Sequence, residues 1–300
     1  IMMLYSFYLY LPKFSFSIPK NISEILTYSV YIFLAGSAAS ILIDIDKFMI
    51  PQKEIISQTA FYAVAVFIAT VVEIPGRAMF QIVNPLVAKA LNENDQKGLD
   101  NLYKKSSINL LIISGLFFLL INLNIDPFYN LVLDSSYSTA ALVVLIISIS
   151  KLILMSFGCG PAILATAKFY KITLPFSIMM AVSVYFLNDK LIDLYSLNGA
   201  AISTLIVISF FTLAKILYLK YKLKIQPYSY STFKVLVLIV FLFFLINPVN
   251  FGGNYMLEII GKSIPVSIIY ILLVYQMKVS NEINTLIKKT LSKFGFQKFS

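Results

Sequence analysis

At 59% hydrophobic residues, 13% charged residues and a mean hydropathy of +0.85, this 300-residue chain is too apolar for a water-soluble domain. Its net charge of +10 lies mostly in loops between apolar runs, so the excess calls for no nucleic acid. One cysteine, Cys159, excludes an internal disulfide, and the lack of histidine removes the commonest zinc ligand and neutral-pH base.

The apolar runs reach the ~17–25 residues that a membrane helix needs, whereas a transmembrane β-barrel would show alternating segments of about ten. The expected fold class is therefore all-α, a polytopic transmembrane bundle. The opening stretch IMMLYSFYLYLP has no basic leader and no small-residue cleavage site. It reads as a partial transmembrane helix over 1–11, the end of a helix begun earlier in a longer chain, followed by a cytoplasmic loop over 12–24.

Full spans are expected near 25–43, 59–83, 107–125, 139–161, 174–188, 199–219, 234–250 and 263–278. Eight spans place Lys13, Lys20, Lys89, Lys97, Lys104, Lys105, Lys168, Lys171, Lys215, Lys220, Lys222, Lys224, Lys234, Lys278 and the tail lysines Lys288, Lys289, Lys293 and Lys298 on one side. Lys47, Lys53, Lys190 and Lys262 fall on the other. The basic side, with the C-terminus, is thus expected to be cytoplasmic. Two cytoplasmic segments read as amphipathic helices on the inner leaflet. One follows a break at Asn84–Pro85 and carries Leu86, Val87, Ala90 and Leu91. The other is a basic tail over 280–300, with Ile283, Leu286, Ile287, Leu291 and Phe294 opposite Lys288, Lys289, Lys293 and Lys298. Tyrosines near span ends, among them Tyr28, Tyr103, Tyr129 and Tyr228, are expected to anchor at the interface.

Charges inside the spans carry the chemistry. Glu73 and Arg77 stand four apart, which on a regular helix puts them on one face as a pair. Pro75 and Gly76 between them predict a kink. At 1.5 Å per residue Glu73 lies ~20 Å down its helix and Lys151 ~18 Å down its own, so the three share a depth. Facing lipid, each would cost ~2.5–3.5 kcal/mol, so they are expected to face inward. Two readings stand: an anion-binding cavity of net positive charge, or an ion network that locks helices together. Asp44, Asp46 and Lys47 are placed at the outer end of their helix. A metal-binding Asp-Ile-Asp pattern there would suit a glycosyltransferase, but three residues recur by chance. Gly158, Gly160 and Pro161 predict a broken helix end, a hinge or a close-packing point. No Walker A motif or nucleotide fingerprint is present, no cofactor or metal is expected, and an enzyme is not.

Taken together, DIDKFMI, YAVAVFIATVVEIPGRAMFQIVNPLVAKAL, the turn into ILATAKFYK, and LNGAAIST resemble the bacterial polysaccharide repeat-unit flippases of the multidrug/oligosaccharidyl-lipid/polysaccharide exporter superfamily. The resemblance implies a second six-helix lobe over 25–230 and a final helix pair over 231–279, with an N-terminal lobe to precede them. It implies movement of undecaprenyl-pyrophosphate-linked oligosaccharide to the outer leaflet of the bacterial inner membrane, coupled to H⁺ or Na⁺ and served by polysaccharide-assembly proteins. Arg77 and Lys151 would meet the pyrophosphate, Glu73 would tune Arg77 or carry a proton, and Asp46 with Lys47 would line the outer mouth. A cation-coupled drug exporter of the same superfamily is the alternative.

Overall fold

Lipid offers no partner to backbone N–H and C=O groups, so long apolar runs satisfy them internally, as helices. The computed structural model describes residues 20–166, 169–249, 252 and 254–293. Among these the chain is 88% helical with no strand. The expected helix over 1–11, residues 12–19 of the expected loop, Lys168, Phe294 and Lys298 lie outside the described residues.

The helices are α1 Ile22–Lys53, α2 Ile56–Thr70, α3 Ile74–Asn92, α4 Gln96–Asn122, α5 Ile125–Val132, α6 Ala141–Ser156, α7 Gly160–Leu164, α8 Tyr170–Leu223, α9 Tyr230–Ile246, α10 Tyr255–Met277 and α11 Asn281–Lys293. A 3₁₀ turn, Val71–Glu73, joins α2 to α3, and another, Ser135–Ala140, leads into α6. Five helical stretches are long and apolar enough to cross a membrane: Ile56–Asn92, Gln96–Asn122, Ser135–Ser156, Tyr170–Leu223 and Tyr255–Met277. Eight spans were expected, and the difference has two sources. The windows at 174–188 and 199–219 both lie on α8, whose two arms meet at Ser196 (φ 52°, ψ −132°). The apolar parts of α1 and α9 are shorter, Ile22–Ala38 and Tyr230–Ile246.

Helix α8 is a hairpin. Met180 and Val184 of its first arm pack on Val207 and Phe211 of its second. Gly199 permits the reversal, since a Cβ there would stand 1.9 Å from the Leu191 carbonyl oxygen. Helix α6 packs on α2, α4 and α8, while α1 lies along α8. Helices α9 and α10 add to the α4 side, burying Val235, Leu242, Val266 and Tyr270 against Leu111 and Leu119.

Chain reversals gather at two ends. At one, Tyr28 donates to the Ala165 carbonyl at 3.0 Å, Gln96 donates to Leu223 at 2.6 Å, and Lys105 meets Glu282 at 2.6 Å. At the other, Lys53 reaches Asp189 and Asp193, and Asn124 donates to Ser263 at 3.1 Å. The first end holds most of the lysines among the described residues.

Several expectations need correction here. The break at Asn84–Pro85 is absent: α3 runs through Pro85 to Asn92. Val87, Ala90 and Leu91 pack on Leu99 and Tyr103 of α4 rather than on lipid, and only Leu86 is exposed. Burial of that face compensates for the backbone hydrogen bond that proline removes. Tyr103 and Tyr129 are fully buried, so neither is an interfacial anchor. Lys262 sits within α10, buried beside Glu258 at 2.7 Å, rather than in a loop. The tail forms α11 and is tied to α4 by Lys105–Glu282 and by the Ser280 hydroxyl donating to Asn109 at 2.6 Å.

Candidate functional site

A cavity of about 260 Å³ opens inside the bundle between α1, α2, α6 and α8. Its polar lining is Asp46, Tyr62, Glu73, Ser150, Lys151, Ser177, Thr204 and Lys215, set among Val66, Ile147, Leu154, Met180 and Ile208. Two carboxylates and two ammonium groups therefore face one space of several waters' volume within an apolar protein.

Glu73 and Lys151 meet across helices at 2.9 Å. The expected Glu73–Arg77 pair does not form, and the local backbone explains it. Glu73 closes the 3₁₀ turn and Pro75 lies in the first turn of α3, so the four-residue face of a regular helix is broken between them. Glu73 turns to α6, whereas Arg77 is exposed, lines no part of the cavity and has no ion-pair partner among the described residues. Gly76 lets α3 approach α6 closely, for a Cβ there would lie 2.7 Å from the Met155 sulfur.

Asp46 is not at an outer mouth. Helix α1 continues through Pro51 to Lys53, and Asp46 is buried inside the bundle at 3% exposure. Its Oδ1 accepts from the Asn188 amide at 2.5 Å, and its Oδ2 accepts from the Thr204 hydroxyl at 3.1 Å and from the Tyr62 hydroxyl. These donors offset part of the cost of burying a carboxylate, but no cation pairs with it among the described residues. The Asn188 side-chain oxygen Oδ1 is buried without a hydrogen-bond partner among the described residues. Asp44 and Lys47 pair with each other at 2.7 Å on the exposed face of α1. Residues two apart on a helix point apart, so the Asp44 and Asp46 carboxylates form no chelate. No group of three or more metal-ligating side chains occurs among the described residues.

Lys215, expected in a loop, reaches the cavity from the second arm of α8. Its ammonium group lies 3.4 Å from the Met180 sulfur and 5.9 Å from the Phe176 ring centre, with no carboxylate partner among the described residues. Its position within the apolar run TLAKILYL was the signal that could have found it. Asn188, Thr204 and Tyr62 carried no such signal, because their role exists only through Asp46.

The turn after α6 is fastened to α4. Gly158 takes φ +57°, and a Cβ there would stand 2.6 Å from the Ser107 amide. The Ser106 hydroxyl accepts from the Cys159 amide at 2.9 Å, and the Ser107 hydroxyl donates to the Ser156 carbonyl at 2.6 Å. Gly160 and Pro161 then begin α7. At the opposite end Lys53 clamps the α8 reversal, 2.8 Å from Asp189 and 2.9 Å from Asp193, and these carboxylates hold its ammonium above the usual lysine range. Compared with family models, characterised proteins and solved structures, the chain matches none.

Proposed function

We propose that this chain is part of a transporter that carries an anionic lipid-linked oligosaccharide across the bilayer, as the polysaccharide flippases it resembles do. The observation that carries the reading is the cavity itself: among the described residues Lys215 has no carboxylate partner there, and Glu73 is the one carboxylate paired with Lys151. A pyrophosphate entering such a space meets one ammonium group directly and can draw the second from Glu73. Asp46 is the natural seat of the coupling ion. Its carboxylate, the Thr204 and Tyr62 hydroxyls and the Asn188 side-chain oxygen are all oxygen donors, which suits a proton or a hard cation.

Rocking of helices around a midplane site would then expose the cavity alternately to each side. The basic end would face the cytoplasm, and the membrane would be the bacterial inner membrane. The same cavity holds the carboxylates of Asp46 and Glu73, and this favours a second reading, a cation-coupled exporter of organic cations.

The test uses the complete gene. Deleting it and measuring undecaprenyl-pyrophosphate oligosaccharides in the inner leaflet should show accumulation. Wild type should clear the lipid, and Lys151→Ala or Lys215→Ala should not. Unchanged lipid-linked sugars with a build-up of toxic cations would replace the flippase with the exporter.

A further inference from the structure

A second and larger hollow lies on the other side of α6. It is a crevice of about 590 Å³ between α6 and α9, floored by Phe118 of α4. Leu145, Ile149 and Leu152 line one wall and Leu236, Val240 and Phe244 the other. This size matches the ~300–1,000 Å³ of sites that hold a ligand with a large apolar part. One end alone is polar, where the Ser156 and Tyr228 hydroxyls lie 3.0 Å apart beside Ser229 and Thr232.

Three properties identify the occupant. The lining runs from Ser229 to Phe244 on α9 and from Leu145 to Ser156 on α6. At 1.5 Å per residue this is roughly 17–22 Å. One leaflet with its headgroup region is about half of the ~40 Å that a bilayer spans, so the crevice fits a chain from a single leaflet. Its polar end lies at the lysine-rich end of the bundle. Lys222, Lys224 and Lys234 flank Tyr228 and Thr232 in sequence, and none has an ion-pair partner among the described residues. A headgroup there would be anionic.

We propose that the crevice is a binding site for an anionic phospholipid of the basic-side leaflet, with an acyl chain along α6 and the phosphate at the hydroxyl cluster. The lipid-linked substrate is not the occupant, because α6 separates the crevice from the charged cavity. Ile147, Ser150, Lys151 and Leu154 face the cavity, while Leu145, Ile149, Leu152 and Ile153 face the crevice. The bound lipid thus touches the helix that carries Lys151.

The chain has no tryptophan, so a single introduced one reports alone. Val240→Trp places it in the crevice and Val237→Trp on the neighbouring exposed face of α9, both at exposed positions that tolerate a larger side chain. The full chain is placed in phosphatidylcholine vesicles containing a minor fraction of brominated lipid. Brominated phosphatidylglycerol should quench Val240→Trp more strongly than brominated phosphatidylcholine, by about fivefold in apparent affinity for each lysine engaged. Val237→Trp should show no preference. Adding Lys222→Gln, Lys224→Gln and Lys234→Gln together should remove the preference at Val240→Trp and leave the tryptophan emission itself unchanged. Equal quenching by both lipids at both positions would overturn the proposal, as would preferential quenching by a brominated polyprenyl phosphate.

Discussion

Lys151 and Glu73 hold each other in a setting where either alone would be costly. Removing one partner leaves a charge without its counterion. Lys151→Ala or Glu73→Gln should therefore lower stability by about 3 kcal/mol, the low end for a broken buried pair, because the side chains keep 12% and 25% exposure. Thermal unfolding in detergent measures this. The double variant Glu73→Gln/Lys151→Met should recover most of that loss while transport stays absent; recovered transport would mean that the pair is only structural. Gly199 makes a different kind of demand. Gly199→Ala drives a methyl group into the Leu191 carbonyl and should cost about 1–3 kcal/mol through forced separation of the α8 arms. An unchanged melting temperature would mean that the reversal is looser than the structure shows.

At the scale of elements, α11 is attached by few contacts, and one of them titrates. The hydrogen bond from Lys105 holds the Glu282 carboxyl below the usual glutamate range. A lowered folded-state pKa gives a contribution that is fully present above the ordinary value and fades as pH falls through the lowered one. Acidification below about pH 4.5 should thus loosen α11. Hydrogen-exchange protection factors of residues 281–290 should fall there in wild type, while Lys105→Gln should show low protection at both acidic and neutral pH. Pairwise packing also explains why α3 defied its reading. The rule that proline ends a helix weighs one hydrogen bond, whereas Val87, Ala90 and Leu91 gain a whole apolar contact with α4. Local signals favour a break, and the neighbouring helix overrides them.

Over the whole molecule, sorting of lysines to one end predicts which side each loop faces. With Cys159→Ala as background, Lys190→Cys should react with an impermeant thiol reagent added outside intact cells, and Lys222→Cys only after lysis. The reverse pattern would invert the proposed topology. The helical class and the run of apolar segments were legible because they depend on composition and length alone. Lys151 was legible too, as a charge deep in an apolar run. Asp46 was misplaced at a helix end because its surroundings come from residues 62, 188 and 204, which meet it only in the folded bundle. The Glu73–Arg77 pairing failed because it assumed α-helical spacing across a 3₁₀ turn. The α8 hairpin bears on how such a chain can vary over time. Its arms meet at Ser196 with no intervening loop to absorb a change in length. Inserting one residue there turns the second arm by about 100° and carries Thr204 and Lys215 away from the cavity together. Insertions and deletions in homologous genes should therefore collect in the polar stretch around residues 247–254, leaving the length between Asn188 and Thr204 fixed.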